Sequence, residues 1–278
     1  MFIMAHLENS IPQLELGGAG SRLHFSHANG YPPEVYSQLL EPLTEHFSVT
    51  ASIHRPLWAK SFREMPSWRT LSEDLLQLLG NDDGEIIGVG HSMGAAALVM
   101  AAICQPELFS HLVLVEPVMV SRRSSWLLRT LKPLARRRLP MVTRTLARVE
   151  RWPSQQAVFE HFRPKSVFSR LSDSALWDYV NYGTVATEQG DYRLRYDKYW
   201  EAHCYLLLSS LWHLLPRLSM PVLIIRGEHS HTVSDNAWQR LQAELPHFDC
   251  IEIAQAGHLL PFEQPDQVVA SLRSWIQR

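Results

Sequence analysis

The first feature with chemical consequences is a serine set between glycines, Gly90-His91-Ser92-Met93-Gly94. Ahead of it, Glu85-Ile86-Ile87-Gly88-Val89 reads as a short buried strand. Behind it, Ala95-Ala96-Ala97-Leu98-Val99-Met100-Ala101-Ala102 reads as a tightly packed helix. A sharp strand-to-helix turn suits this pattern, because the backbone crowds itself there and a side chain at either flanking glycine would clash. The turn lifts Ser92 Oγ into the open at a helix N-terminus, where free N–H groups and the helix dipole favour developing negative charge. A serine hydroxyl is a weak nucleophile near neutral pH and needs a base. Among fourteen histidines, His258 is best placed, following the last predicted strand and Gly257 and preceding a closing helix. An oxyanion hole of backbone N–H groups would complete such a site. Met93, directly after the nucleophile, offers one donor. The loop His27-Ala28-Asn29-Gly30-Tyr31-Pro32-Pro33 offers the other. Its small and turn-forming residues let the backbone approach a substrate, with Asn29 preferred over Ala28.

The elements that must position these residues alternate along the chain. Strands are expected at Gln13-Leu14-Glu15-Leu16, Arg22-Leu23-His24-Phe25-Ser26, Phe47 to Ala51, His111 to Glu116, Pro221 to Arg226 and Asp249 to Ile253. Helices are expected at Glu34 to Leu40, Thr70 to Leu79, Asp235 to Leu245 and Pro265 to Ile276. Strands alternating with helices predict an α/β fold with a mostly parallel sheet covered on both faces. Residues 118–216 break the rhythm, being helical in pattern, rich in Trp and Tyr and without convincing strands. The expected division is therefore a core of residues 1–117 and 217–278 with a helical cap of residues 118–216.

The cap opens with a basic run: Arg122, Arg123, Arg129, Lys132, Arg136, Arg137, Arg138, Arg144, Arg148 and Arg151, against Glu150 alone. Trp126, Leu127, Leu128, Leu131, Leu134, Leu139, Met141 and Val142 interleave with it, so the segment is amphipathic and basic. It reads either as the solvated face of a cap or as a surface for anionic lipid or an acidic substrate group, through which peripheral membrane contact would be made. With a net charge of −2 the whole molecule does not read as a nucleic-acid binder. Cys104, Cys204 and Cys250 are far apart and odd in number, which favours a reducing compartment over a disulfide framework, and they lack metal-ligand spacing. The segment Met1 to Glu8 lacks the basic region and apolar length of a secretory leader, and no stretch is long and apolar enough for a membrane span. The expectation is a cytoplasmic chain that needs no cofactor and no metal.

In motif order the chain resembles the α/β-hydrolase-fold serine hydrolases of the cap-bearing type. The resemblance rests on the Gly90 to Gly94 elbow, the His27-Ala28-Asn29-Gly30 loop, Gly257-His258, and Pro261-Phe262-Glu263-Gln264-Pro265 after the base. It implies an eight-stranded, mostly parallel sheet with the cap inserted after the sixth strand. In that family an acid, usually Asp, orients the base from the loop after the strand that is here Val222 to Arg226. This loop reads Gly227-Glu228-His229-Ser230-His231-Thr232-Val233-Ser234-Asp235, with Ser230 and His231 where the Asp would fall. Some members, dehalogenases among them, carry the acid at the end of the strand after the nucleophile helix, where this chain has Glu116. Glu116 is the acid favoured here, with Asp235 or no acid at all as the alternatives.

The expected chemistry is hydrolysis of an ester-type bond in a small, largely apolar molecule through an acyl-enzyme. Ser92 would be nucleophile, His258 base and Glu116 orienting acid, with Asn29 and Met93 as oxyanion donors. Trp126, Trp152, Phe159, Phe162, Trp177, Tyr179 and Tyr182 are expected to contribute an apolar pocket in the cap. Thioester or C–C bond hydrolysis would use the same serine machinery. A non-catalytic binding protein on the same fold is the remaining alternative. Dehalogenase and epoxide hydrolase chemistry are disfavoured because those enzymes attack with an Asp.

Overall fold

A computed structural model describes residues 3–5, 11–80 and 84–278. Most of the N-terminal segment on which the no-leader expectation rests lies outside the described residues. The sheet strands are β1 (Ile3–Ala5), β2 (Gln13–Gly17), β3 (Ser21–Ser26), β4 (Phe47–Ser52), β5 (Ile86–His91) and β6 (Phe109–Val115). Helices α1 (Ser37–Leu40), α2 (Arg69–Leu79) and α3 (Met93–Cys104) connect them. After β6 the chain leaves the sheet for helices α4 (Arg122–Thr130), α5 (Lys132–Arg138), α6 (Pro140–Leu146), α7 (Gln155–Phe162), α8 (Asp173–Gly183) and α9 (Lys198–Tyr205). Short strands β7 (Arg151–Trp152), β8 (Thr184–Ala186) and β9 (Tyr192–Leu194) lie among them. The chain then returns through β10 (Val222–Gly227), α10 (Asp235–Glu244), β11 (Asp249–Ile253), α11 (Leu260–Glu263) and α12 (Pro265–Ile276).

The eight-stranded sheet has the order β1-β2-β4-β3-β5-β6-β10-β11. Only the β1–β2 and β2–β4 pairs are antiparallel. Its central strands alternate between two apolar layers. Val113, Val115, Leu223 and Ile225 face the layer that holds Leu272 and Trp275 of α12. Leu112, Leu114, Val222 and Ile224 face the layer that holds α3 and the buried leucines of α2. Burial of the strands on both faces is what a parallel sheet requires, since its connections place helices on each side. From β3 the chain winds outward to β4, then returns to place β5 on the other side of β3. Loops leaving the carboxyl ends of β3 and β5 therefore diverge, and a crevice opens between them.

Two departures from the sequence reading have the same cause. The eighth strand is Ile3–Ala5, paired with β2, and three short strands form a small antiparallel sheet, β7-β9-β8, where the cap was read as strand-free. None of these four is longer than three residues, which is too short for a period of two to show. The β8–β9 hairpin turns at Gly190 (φ 84°), with the Gly190 amide donating to Thr187 O and the Thr187 amide to Asp191 O. Among the described residues, no helix is long and apolar enough to cross a membrane.

Candidate active site

Five loops meet at the carboxyl end of the sheet, and the strand register sets which residues they present. Ser26 pairs with Gly90, His91 with Val115, and Val115 with Ile225. The residues that follow β3, β5, β6 and β10 thus emerge side by side.

Ser92 occupies the elbow at φ 55° and ψ −111°, a conformation few side-chain-bearing residues adopt. The crowding predicted for its glycines is present. A Cβ on Gly90 would lie 2.7 Å from the Ala95 backbone, and one on Gly94 would lie 2.0 Å from Ser26 O. That second approach fixes the β3 loop against the start of α3. Met93 is the first residue of α3, so its amide has no carbonyl within the helix to bond.

His258 Nε2 lies 3.1 Å from Ser92 Oγ, and its Nδ1 lies 3.1 Å from Glu116 Oε2. Glu116 is itself at positive φ (50°), which bends the chain as it leaves β6 and turns the carboxylate toward β10. There Oε1 accepts the Gly227 amide at 2.7 Å and Oε2 accepts the Ser230 hydroxyl. The carboxylate is fully buried yet surrounded by donors, which is how a charge is kept in a protein interior. Asp235, the alternative acid, lies apart from this cluster. It opens α10 and bonds Arg226 Nη2 at 2.8 Å, while Glu252 holds the same guanidinium. Glu228 is also occupied, accepting the Gln255 amide at 2.8 Å.

The Ala28 amide, the less favoured oxyanion donor, is spent on Tyr36 Oη at 3.1 Å. The Asn29 amide has no acceptor among the described residues. Its side chain is held at both ends, with Nδ2 donating to Glu201 O at 3.0 Å and Oδ1 accepting the Tyr196 hydroxyl at 2.9 Å. These bonds tie the β3 loop to α9 and to the segment that leads into it.

Several site residues were not singled out from the sequence. His91 Nε2 lies 2.9 Å from His258 O, and Nδ1 lies 2.8 Å from Tyr36 Oη. A carbonyl only accepts, so Nε2 carries the proton. Nδ1 then accepts from Tyr36, whose oxygen in turn accepts the Ala28 amide. One unbroken chain of donors thus joins the His258 backbone to the β3 loop. Burial, aided by the nearby His258 ring, holds the His91 pKa well below 6.5 and keeps the ring neutral, as this pattern needs. Ser230 and the Gly227 amide were missed as well. Their signal was the pairing of β6 with β10, which puts Glu116 beside whatever follows β10. Glu263 accepts the Gly257 amide just before His258, and burial raises its pKa.

The cap aromatics divide. Phe162 and Tyr179 line a cavity of about 610 Å³ that starts at Gly30 and Tyr31 of the β3 loop, together with Phe168, Arg144, Arg148 and Lys165. Trp152 is buried core, and Phe159 stacks on Trp177 at 4.8 Å. Trp126, expected to face the substrate, instead has 66% of its surface exposed. A second cleft of about 660 Å³ lies away from the serine, between α2, the C-terminal half of α3 and α4. Among the described residues, no group of three or more His, Cys, Asp or Glu is arranged to hold a metal ion.

The fold and motif order define an α/β hydrolase, and the model of the alpha/beta hydrolase family matches residues 18–271, so the chain belongs to that family. Esterase Rv0045c of Mycobacterium tuberculosis is 25% identical over 270 residues, covering 95% of this chain and 85% of that protein. The uncharacterized hydrolase YugF of Bacillus subtilis is 27% identical over 193 residues, covering 68% of this chain; the match spans 64% of YugF's length. The crystal structure of E-2-(acetamidomethylene)succinate hydrolase superposes with a TM-score of 0.83 at 21% identity, each chain covered completely, a likeness of fold.

Proposed function

We propose that this chain is a serine hydrolase that cleaves an ester-type bond through an acyl-enzyme, with residues 118–216 forming a cap over the site. The observation that carries the reading is the continuous Ser92–His258–Glu116 relay, with both contacts at 3.1 Å. In this mechanism His258 Nε2 takes the Ser92 proton as Oγ attacks the substrate carbonyl carbon. The buried Glu116 charge stabilises the imidazolium and holds Nδ1–H toward itself. The Asn29 and Met93 amides receive the oxyanion. The carbonyl re-forms, His258 gives its proton to the departing alkoxide, and the alcohol leaves. Water then attacks the acyl-enzyme by the same route and releases the acid. The esterase among the relatives supports an ester as the bond broken. The test is labelling by a fluorophosphonate, which should modify the wild-type protein and spare Ser92→Ala. A folded wild-type chain that stays unlabelled would overturn the proposal.

A second reading concerns the substrate's far end. The cavity beside Gly30 is part aromatic and part cationic. Arg148 is already paired with Glu201, but Lys165 lies over the Phe162 ring and Arg144 is exposed. Both Arg144 and Lys165 have no carboxylate partner among the described residues. A substrate with a carboxylate remote from the scissile bond fits this lining better than a wholly apolar one. Esters of dicarboxylic acids should then show lower KM than neutral esters of equal length, and Lys165→Met should erase the difference.

A further inference from the structure

From Pro117 to Val149 the chain carries nine Lys and Arg and no Asp or Glu. Arg122, Arg123, Arg136, Arg137 and Arg138 are all exposed and without a carboxylate partner among the described residues. The same stretch holds a concentration of exposed large apolar side chains: Trp126 (66%), Leu127 (51%), Leu131 (42%), Leu134 (43%) and Met141 (42%). Single exposed leucines are ordinary, but a run of them within three consecutive helices marks an interaction surface.

The helices have a separate inner face, so the outer side chains are not displaced core. Ser125 is buried and donates to Leu208 O at 2.9 Å. Leu128 packs against the layer that holds α3, and Ala135 packs against Val142. Leu127 of α4, Leu131 at the turn between α4 and α5, and Leu134 of α5 are instead exposed. The exposed arginines of α4, α5 and α6 stand on the same three helices.

We propose that the outer face of α4 to α6 docks this protein on an anionic lipid bilayer, lying in the interface rather than crossing it. Arginine clusters alone would fit any polyanion. The interleaved Trp, Leu and Met side chains discriminate, since they gain by entering the acyl boundary while the guanidinium groups meet lipid phosphates. A nucleic acid or an acidic peptide offers the charge but not that apolar layer.

The protein should co-sediment with phosphatidylglycerol–phosphatidylcholine vesicles and much less with phosphatidylcholine alone. At roughly fivefold per basic residue near an anionic surface, Arg136→Gln, Arg137→Gln and Arg138→Gln together should lower the partition coefficient about a hundredfold. The same triple variant should retain wild-type turnover of a soluble ester, showing that it folds. Brominated lipid should quench part of the tryptophan emission, and Trp126→Phe should abolish that part. Three results would overturn the proposal: no binding to the anionic vesicles, binding without Trp126 quenching, or equal binding to polyglutamate.

Discussion

Replacing Glu116 by Gln changes two atoms' chemistry while keeping the shape of a buried side chain, and its effect can be worked out from three contacts. The Gly227 amide can only donate, so it holds the glutamine carbonyl oxygen at the Oε1 position, 2.7 Å away. The amide nitrogen must then occupy the Oε2 position, 3.1 Å from His258 Nδ1. There it donates to Nδ1 and forces the proton onto Nε2, the atom that must accept from Ser92. Reversing the amide would recover the useful tautomer and the acceptor of the Ser230 hydroxyl but leave the buried Gly227 N–H facing another donor, at about 1–3 kcal/mol, so the two orientations compete and the tautomer loss lies between none and roughly 150-fold. The second loss is the carboxylate charge beside the forming imidazolium, about 4 kcal/mol at an effective dielectric near 20, or about a thousandfold. Together these predict a kcat lower by about three to five orders of magnitude. Turnover of a p-nitrophenyl ester, with thermal melting as the check on folding, measures it. Asp235→Asn is the control, and it should leave turnover unchanged because Asp235 serves Arg226. A folded Glu116→Gln variant within tenfold of wild type would refute the reasoning, as would a collapse in Asp235→Asn.

Other substitutions and conditions probe the supporting contacts. Tyr36→Phe leaves the Ala28 amide and His91 Nδ1 without partners in the interior, so urea denaturation should show a loss of about 1–3 kcal/mol, with kcat falling more than KM rises. Arg148→Ala strands the buried Glu201 carboxylate at a cost of about 3–5 kcal/mol, and adding Glu201→Gln should restore part of the melting temperature; equal melting of the single and double variants would count against the pair. Acid should destabilise the fold through its buried histidines. Burial lowers His24 and His54 to about 3 and puts His27 and His91 well below 6.5. The unfolded chain therefore binds more protons, and stability present above pH 6.5 falls as the pH drops toward 3, by up to about 1.4 kcal/mol per histidine per pH unit. Urea midpoints at pH 8 and pH 5 test the sign, and equal midpoints would exclude it.

The regular elements were legible because their patterns are long: α3 and α12 each span twelve residues, and β5 and β10 are buried along their whole length. Ser92 and His258 were legible because each sits in a local motif. Glu116 could be proposed only by resemblance, since nothing near it in sequence distinguishes a strand-end carboxylate from a loop-binding one. What settles its contacts is the juxtaposition of β6 with a segment 111 residues away, where Ser230 and Gly227 donate to it. The His91–Tyr36–Ala28 chain was invisible for the same reason. Its members are ordinary residue types whose roles arise from packing across three loops. Trp126 shows the converse, an aromatic residue read as pocket lining whose helix turns it outward.

The Asn29 side chain, clasped by Glu201 O and the Tyr196 hydroxyl, would make access and competence interdependent wherever a substrate enters past α9. On the proposed mechanism the loop whose Asn29 amide would receive the oxyanion is braced by α9, which also lends Glu201 and Tyr205 to the lining of the cavity beside Gly30. Lifting α9 to widen the entrance would release the brace and slacken the hole, so an opened molecule would be a poor catalyst until the segment settled again. Reactive esters that drift in while the gate stands wide would thus meet an unassembled site. Selection would fall on substrates that let α9 close behind them.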